Sequence, residues 1–161
     1  MLTAQEIIEH LRLEPLTIEG GYFRETYRSV LTLSRAAFSS EYGGDRNVST
    51  AIYYLLTPDT FSAIHRVKSD EIFHFYAGDP VEMLQLWPDG AGTTLTIGND
   101  LAAGHEPQVI VPAGVFQGCR LKHGGEWALM GCTVAPGFEY TDYEAGDRGE
   151  LTAAYPKFAE L

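Results

Sequence analysis

Basic residues are scarce in this chain: Lys and Arg number 11 against 22 Asp and Glu, giving 161 residues a formal net charge of −11. Gripping a nucleic-acid backbone needs clustered Lys and Arg, so nucleic acid is not an expected partner. Long apolar runs are missing as well. No segment approaches the ~20 residues of a membrane span, so no membrane partner is expected. The opening stretch from Met1 to Leu13 has neither the basic nor the apolar region of a secretory leader. Two cysteines, Cys119 and Cys132, are too few for a disulfide framework. Together these absences read as a cytoplasmic protein with reduced thiols, its acidity serving solubility.

What is present fits an ordinary globular domain: 45% hydrophobic residues, with 9 Tyr and 8 Phe. Neither repeat nor linker divides the chain, so residues 1–161 read as a single domain. Thr3-Ala4-Gln5-Glu6 has the form of a capping box, and Ile7, Ile8 and Leu11 recur at helical spacing up to about Leu13. A period-two pattern then runs from Gly21 to Arg28, followed by a Gly/Ser-rich loop over Ser39–Asn47.

Strands are expected at Ser49–Leu56, Phe61–Val67, Glu71–Tyr76, Val81–Trp87, Thr93–Ile97, Gln108–Val111, Val115–Leu121 and Trp127–Ala135. Turn chemistry separates them, as at Thr57-Pro58-Asp59 and Pro88-Asp89-Gly90. A second short helix starts near Asp147. Many short strands between two short helices predict an all-β sandwich or barrel.

Strand parity then places the polar residues. Phe61, Ala63, His65 and Val67 share one face; Glu71, Phe73 and Phe75 share another; Val115, Gln117, Cys119 and Leu121 share a third. An interior that receives His65, Glu71 and Gln117 therefore also receives Phe73 and Cys119, with Gln85 and Met83 as further lining. That is an apolar pocket with a few convergent polar groups, the usual make-up of a small-molecule site. Parity turns His74 outward. Arg24 and Arg28 read as surface or interface cations, and Phe138, Tyr140 and Tyr143 as packing residues.

The phrases Gly20-Gly21-Tyr22-Phe23-Arg24-Glu25, Ser69-Asp70-Glu71-Ile72-Phe73-His74-Phe75-Tyr76-Ala77-Gly78 and Val111-Pro112-Ala113-Gly114-Val115-Phe116-Gln117 resemble the Cupin-5 family of the cupin superfamily. The resemblance implies a double-stranded β-helix (jelly-roll barrel), commonly a homodimer, with a pocket inside. Its general pattern of ligands is depleted here. His65 and Glu71 stand at ligand positions, whereas Val67 and Gln117 replace two histidines and Glu106 replaces a glycine. No resident metal is expected from such a set; a weak divalent site at His65, Glu71 and Gln117 stays open.

Members of this family resemble deoxysugar-nucleotide 3,5-epimerases in fold, and those enzymes use a histidine base and a tyrosine acid. His65 is accordingly the expected base, with Glu71 orienting it. Tyr22, Tyr53 and Tyr140 are the candidate acids, with Tyr22 also assigned to ligand contact. Three readings remain open at the level of sequence: a metal-independent epimerase or isomerase, a metal-dependent oxygenase or lyase, and a non-catalytic metabolite-binding protein.

Overall fold

In a computed structural model, residues 2–38 and 42–160 are described. The N-terminal helix α1 (Ala4–Leu11) is closed by the expected box: Thr3 accepts from the Glu6 amide, and Glu6 accepts from the Thr3 amide at 2.8 Å. Among the described residues thirteen strands follow: β1 (Glu14–Pro15), β2 (Tyr22–Arg28), β3 (Thr32–Leu33), β4 (Arg46–Asn47), β5 (Thr50–Leu56), β6 (Phe61–Arg66), β7 (Asp70–Gly78), β8 (Val81–Leu86), β9 (Gly92–Ile97), β10 (Gln108–Val111), β11 (Phe116–Leu121), β12 (Ala128–Ala135) and β13 (Glu144–Ala145). A second helix, α2 (Arg148–Ala154), starts at an Asp147 cap. Residues 39–41 of the expected loop lie outside the described residues, and its end forms β4, paired with β3.

Apart from the β3–β4 ribbon, the strands form two antiparallel sheets, ordered β1-β2-β5-β12-β7-β10 and β13-β6-β11-β8-β9. One buried cluster joins inward residues of both, among them Tyr54, Leu56, Phe73, Met83, Cys119 and Met130. Burial of such side chains is worth roughly 1.5–3 kcal/mol each and is the main force closing the sandwich. Helix α1 covers part of the outer face of the six-stranded sheet, where Ile7 and Leu13 pack with Leu55 and Trp127. Helix α2 and residues 156–158 lie over the outer face of the other sheet. A groove of about 620 Å³ remains there, lined by Phe61, Ile64, Leu84, Leu86, Leu151 and Phe158.

The simple alternation expected for β6 fails at its start. Gln117 pairs with His65 but Cys119 pairs with Ser62, so Ala63 and Ile64 together stand opposite Gly118. This β-bulge inverts the parity of the first residues. Ser62 turns inward and is 3% exposed, while Phe61 turns out and is 60% exposed. The bulge sits directly over Gly118, where a Cβ would come within 2.9 Å of the Ser62 carbonyl oxygen and of the Ile64 side chain.

Candidate functional site

The bulge organises the polar centre of the barrel. Its residue Ala63 accepts a hydrogen bond through its carbonyl from His65 Nδ1, at 2.7 Å. Through its amide it donates to the carbonyl of Glu19, at 2.8 Å. One residue thus fixes the tautomer of His65 and the position of Glu19, 46 residues before that histidine. With Nδ1 carrying the proton, neutral His65 presents Nε2 as a lone pair toward the interior.

Glu19 reaches this place by way of a tight turn. Gly20 has φ +109°, in the left-handed region, and a Cβ there would collide with the Phe61 carbonyl oxygen. The Glu19 side chain points inward, accepting from Ser62 Oγ at 2.6 Å, with its other oxygen 3.6 Å from His65 Nε2.

On the other side of the imidazole stands Gln117. Its Nε2 lies 3.0 Å from His65 Nε2 and donates to Glu71 Oε2 at 3.2 Å. Because His65 Nε2 is the acceptor, Gln117 must offer its NH₂ end to both neighbours. Its Oε1 is left buried without a partner among the described residues. Glu71 also receives a long contact of 3.9 Å from the Cys132 thiol.

Burial pushes the Glu71 carboxyl up from 4.5 to about 7; nearby Glu19 adds to the rise, while the charge of His65 and the bonds from Gln117 and Cys132 oppose it. Glu71 therefore changes charge near neutrality, one amide away from an imidazole. Cys119 is inside too, but burial pushes its thiol far up, which removes thiolate chemistry.

Tyr143 covers the imidazole. Its ring stacks on that of His65 with centroids 4.9 Å apart, and its hydroxyl donates to the Ile18 carbonyl at 3.0 Å. Two chain segments are thus latched together over the site. Burial, then Glu19 and Glu71, push the Tyr143 phenol up to about 12. Strand β13 pairs with β6, and the buried Arg46–Asp142 ion pair of 2.6 Å anchors the residue just before Tyr143. Outside Tyr143 lies a hollow of about 710 Å³, lined also by Arg66, Val67, Lys68, Ala113 and Gly114.

Of the residues expected at the site, His65, Glu71 and Gln117 meet, Phe73 and Cys119 lie in the surrounding core, and Gln85 is inside but donates to the Ile110 carbonyl at 3.1 Å. Tyr22 is not brought to the site, because it packs in the layer beneath α1 on the far side of its sheet. Tyr53 lies in that layer too, and Tyr140 is exposed. The tyrosine at the histidine is Tyr143, expected only to pack. His74 faces outward as parity requires, 3.2 Å from Thr133 Oγ1. Arg28 is paired with Glu25 and Glu139, and Arg24 lies over the Tyr53 ring.

Glu19, like Tyr143, stands at the histidine without having been expected there from the sequence. Its one local signal is an acid immediately before Gly20-Gly21 at the entrance to a strand. A metal does not fit this donor set. Gln117 turns its donor end to His65 and Glu71, so neither contact presents its amide oxygen to a cation those two groups would share. Among the described residues, no group of three or more His, Cys, Asp or Glu is placed to hold a metal ion.

Comparison with known proteins agrees with this architecture. The family described as "Cupin superfamily (DUF985)" matches residues 5–146. An uncharacterised protein of Saccharomyces cerevisiae is 34% identical over 133 residues, covering 78% of this chain and 66%, just under two thirds, of its own length. A hypothetical protein from Leishmania major has a similar structure, with TM-score 0.88, 31% identity and coverage of 98% and 95% of the two chains. A Shewanella oneidensis protein superposes with TM-score 0.86 at 36% identity, covering 100% of this chain and 95% of its own. Oxalate decarboxylase from Bacillus subtilis shares the fold alone, at 13% identity and TM-score 0.54, over 84% of this chain and 32% of its own.

Proposed function

The chain belongs to the cupin superfamily family DUF985, and from that membership we propose that its barrel binds a small polar molecule and moves a proton on it. His65 acts as the base, in a metal-independent epimerisation or isomerisation of a sugar-like or carbonyl-containing substrate. The observation that carries this reading is the tautomer lock. Ala63 holds the Nδ1 proton across a 2.7 Å hydrogen bond, which leaves Nε2 as an inward lone pair that accepts from the Gln117 amide at 3.0 Å until a substrate displaces it. Proton abstraction near neutrality needs such a nitrogen.

Glu71, pushed up to about 7, is the partner that can return a proton. Burial of His65, at 1% exposure, supplies the dry surroundings in which acid and base groups act most strongly. Entry requires Tyr143 to swing off the imidazole toward the hollow outside.

Deuterium exchange at carbon-bound protons of aldoses, ketoses and hydroxyketones, followed by NMR in D₂O, tests the reading. Exchange by the wild type that disappears in His65→Ala supports it. Exchange retained by a folded His65→Ala rules it out.

A second reading, a non-catalytic binding protein, draws on the Tyr143 latch, which closes the site as a binding protein closes over a ligand. Recovery of a bound compound unchanged, with no exchange, favours it. We further propose that the protein is a dimer, because Val30 and Leu31 stand 94% and 68% exposed beside the β3–β4 ribbon.

A further inference from the structure

The outer face of the six-stranded sheet carries a cluster that the barrel interior does not use. Strand register sets Arg24, Tyr53, Gly131, His74 and Gln108 in one row across β2, β5, β12, β7 and β10. Residues paired in register share a face, so with His74 outward the whole row is outward. Tyr76 lays its hydroxyl across Gly131, where a Cβ would collide with it. The Tyr53 and Tyr76 rings meet edge to face with centroids 6.1 Å apart, and the His74 ring runs nearly parallel to that of Tyr76. Tyr76 is 53% exposed, so this aromatic floor is open to solvent. Arg24 stands at its end, with the guanidinium carbon 5.6 Å from the Tyr53 centroid.

Arg24 lacks an acceptor. Its Nε is buried without a hydrogen-bond partner among the described residues. It forms no ion pair there either, whereas Arg28 on the same strand holds Glu25 and Glu139. Arg12, Arg35 and Arg148 also form no ion pair among the described residues, but they are exposed and water serves them. The row contains no acid, in a chain with 22 Asp and Glu. Nothing in it answers the cation or repels an arriving anion, and a second copy laid row on row would bring no carboxylate. A buried N–H left unpaired carries a free-energy cost that an arriving acceptor removes. The two oxygens of a carboxylate match the edge of a guanidinium, and a flat ring packs well beside it on tyrosine.

We propose that this row is a binding site for a small aromatic carboxylate, whose carboxylate takes the edge of the Arg24 guanidinium and whose ring lies on Tyr76. The half-buried guanidinium is tied to no acid and turns to meet it. The site lies outside the barrel, so it is independent of proton transfer at His65.

The test is a titration of the wild type at neutral pH with benzoate, acetate, benzyl alcohol and benzylamine. NMR follows the Arg24 Nε–H, assigned from triple-resonance spectra, together with the Tyr76 and His74 ring signals. Benzoate is expected to move the Nε–H signal downfield and to shift Tyr76 saturably. Acetate, which lacks the ring, is expected to bind about tenfold or more weakly, and benzyl alcohol and benzylamine to leave the Nε–H in place. Arg24→Met, checked for folding by circular dichroism, is expected to weaken benzoate binding about tenfold or more.

An Arg24 Nε–H that benzoate leaves unmoved overturns the proposal, and so does acetate binding as tightly as benzoate. A wild-type dimer that Arg24→Met dissociates in light scattering also overturns it, for then a second copy supplies the acceptor. The wild-type titrations decide the matter even where Arg24→Met does not fold.

Discussion

At the scale of single residues, the chemistry turns on groups whose charge is set by burial. Glu71 is the sharpest case. Its folded value of about 7 lies above the 4.5 of the free carboxyl, so between those values the native state holds a proton that the unfolded chain has released. Stability therefore falls as pH rises through this window, and the full cost, about 3–4 kcal/mol at ~1.4 kcal/mol per pH unit, is felt above about 7. Glu71→Gln keeps an acceptor for Gln117 and abolishes the charge. It is expected to raise the urea midpoint clearly at pH 8 and hardly at pH 5; equal effects at both would contradict the buried-acid account.

Tyr143 gives a second residue-scale prediction. Tyr143→Ala removes both the ring over His65 and the bond to Ile18. Modification of His65 by diethyl pyrocarbonate, mapped by mass spectrometry, is expected to accelerate markedly against outward-facing His74 as internal control. An unchanged rate would deny that Tyr143 guards the site.

His65, Glu71 and Gln117 were legible from strand parity because each lies on a strand whose alternation holds at that point. Glu19 and Tyr143 were not. Both reach the imidazole from irregular segments, Glu19 from a glycine turn and Tyr143 from the stretch leading into β13, where no periodicity exists to read.

At the scale of elements, the bulge in β6 is the feature that converts a sheet into a site. Without the extra residue, Ala63 would not be free to bond His65 and Glu19 at once. Gly118→Ala tests this, since its Cβ would press on Ser62 and Ile64 at 2.9 Å. A loss of roughly 1–3 kcal/mol in urea unfolding is expected, as for other overpacked positions. The His65 ring signals should shift with it, and a silent substitution would argue against the bulge.

Asp142 anchors the other wall. Asp142→Ala strands the buried Arg46 guanidinium and is expected to cost ~3–5 kcal/mol, with loss of Tyr143 stacking in near-UV dichroism. The strands themselves were legible to within a residue or two at most ends, because turn residues separate them. The bulge was not, for Phe61-Ser62-Ala63-Ile64-His65 reads as plain alternation until its partner strand is known.

For the whole molecule, two sheets enclose a core with an acid-rich polar centre, one helix covers part of each outer face, and exposed apolar side chains remain near the β3–β4 ribbon. No helix among the described residues is long and apolar enough to cross a membrane. A self-associating chain explains the exposed ribbon, so light scattering is expected to give twice the 17.7 kDa of one chain. Val30→Asp together with Leu31→Asp should return it to the monomer mass.

If the backbone bulge fixes His65 as an inward-facing base, the tautomer of its neutral ring must show it. Long-range proton–nitrogen correlation spectra of the uniformly ¹⁵N-labelled protein, recorded at pH 8 and assigned with His65→Ala, report which ring nitrogen carries the hydrogen. A protonated Nδ1 and a lone-pair Nε2 are the predicted result. A protonated Nε2 in the neutral ring would contradict the account.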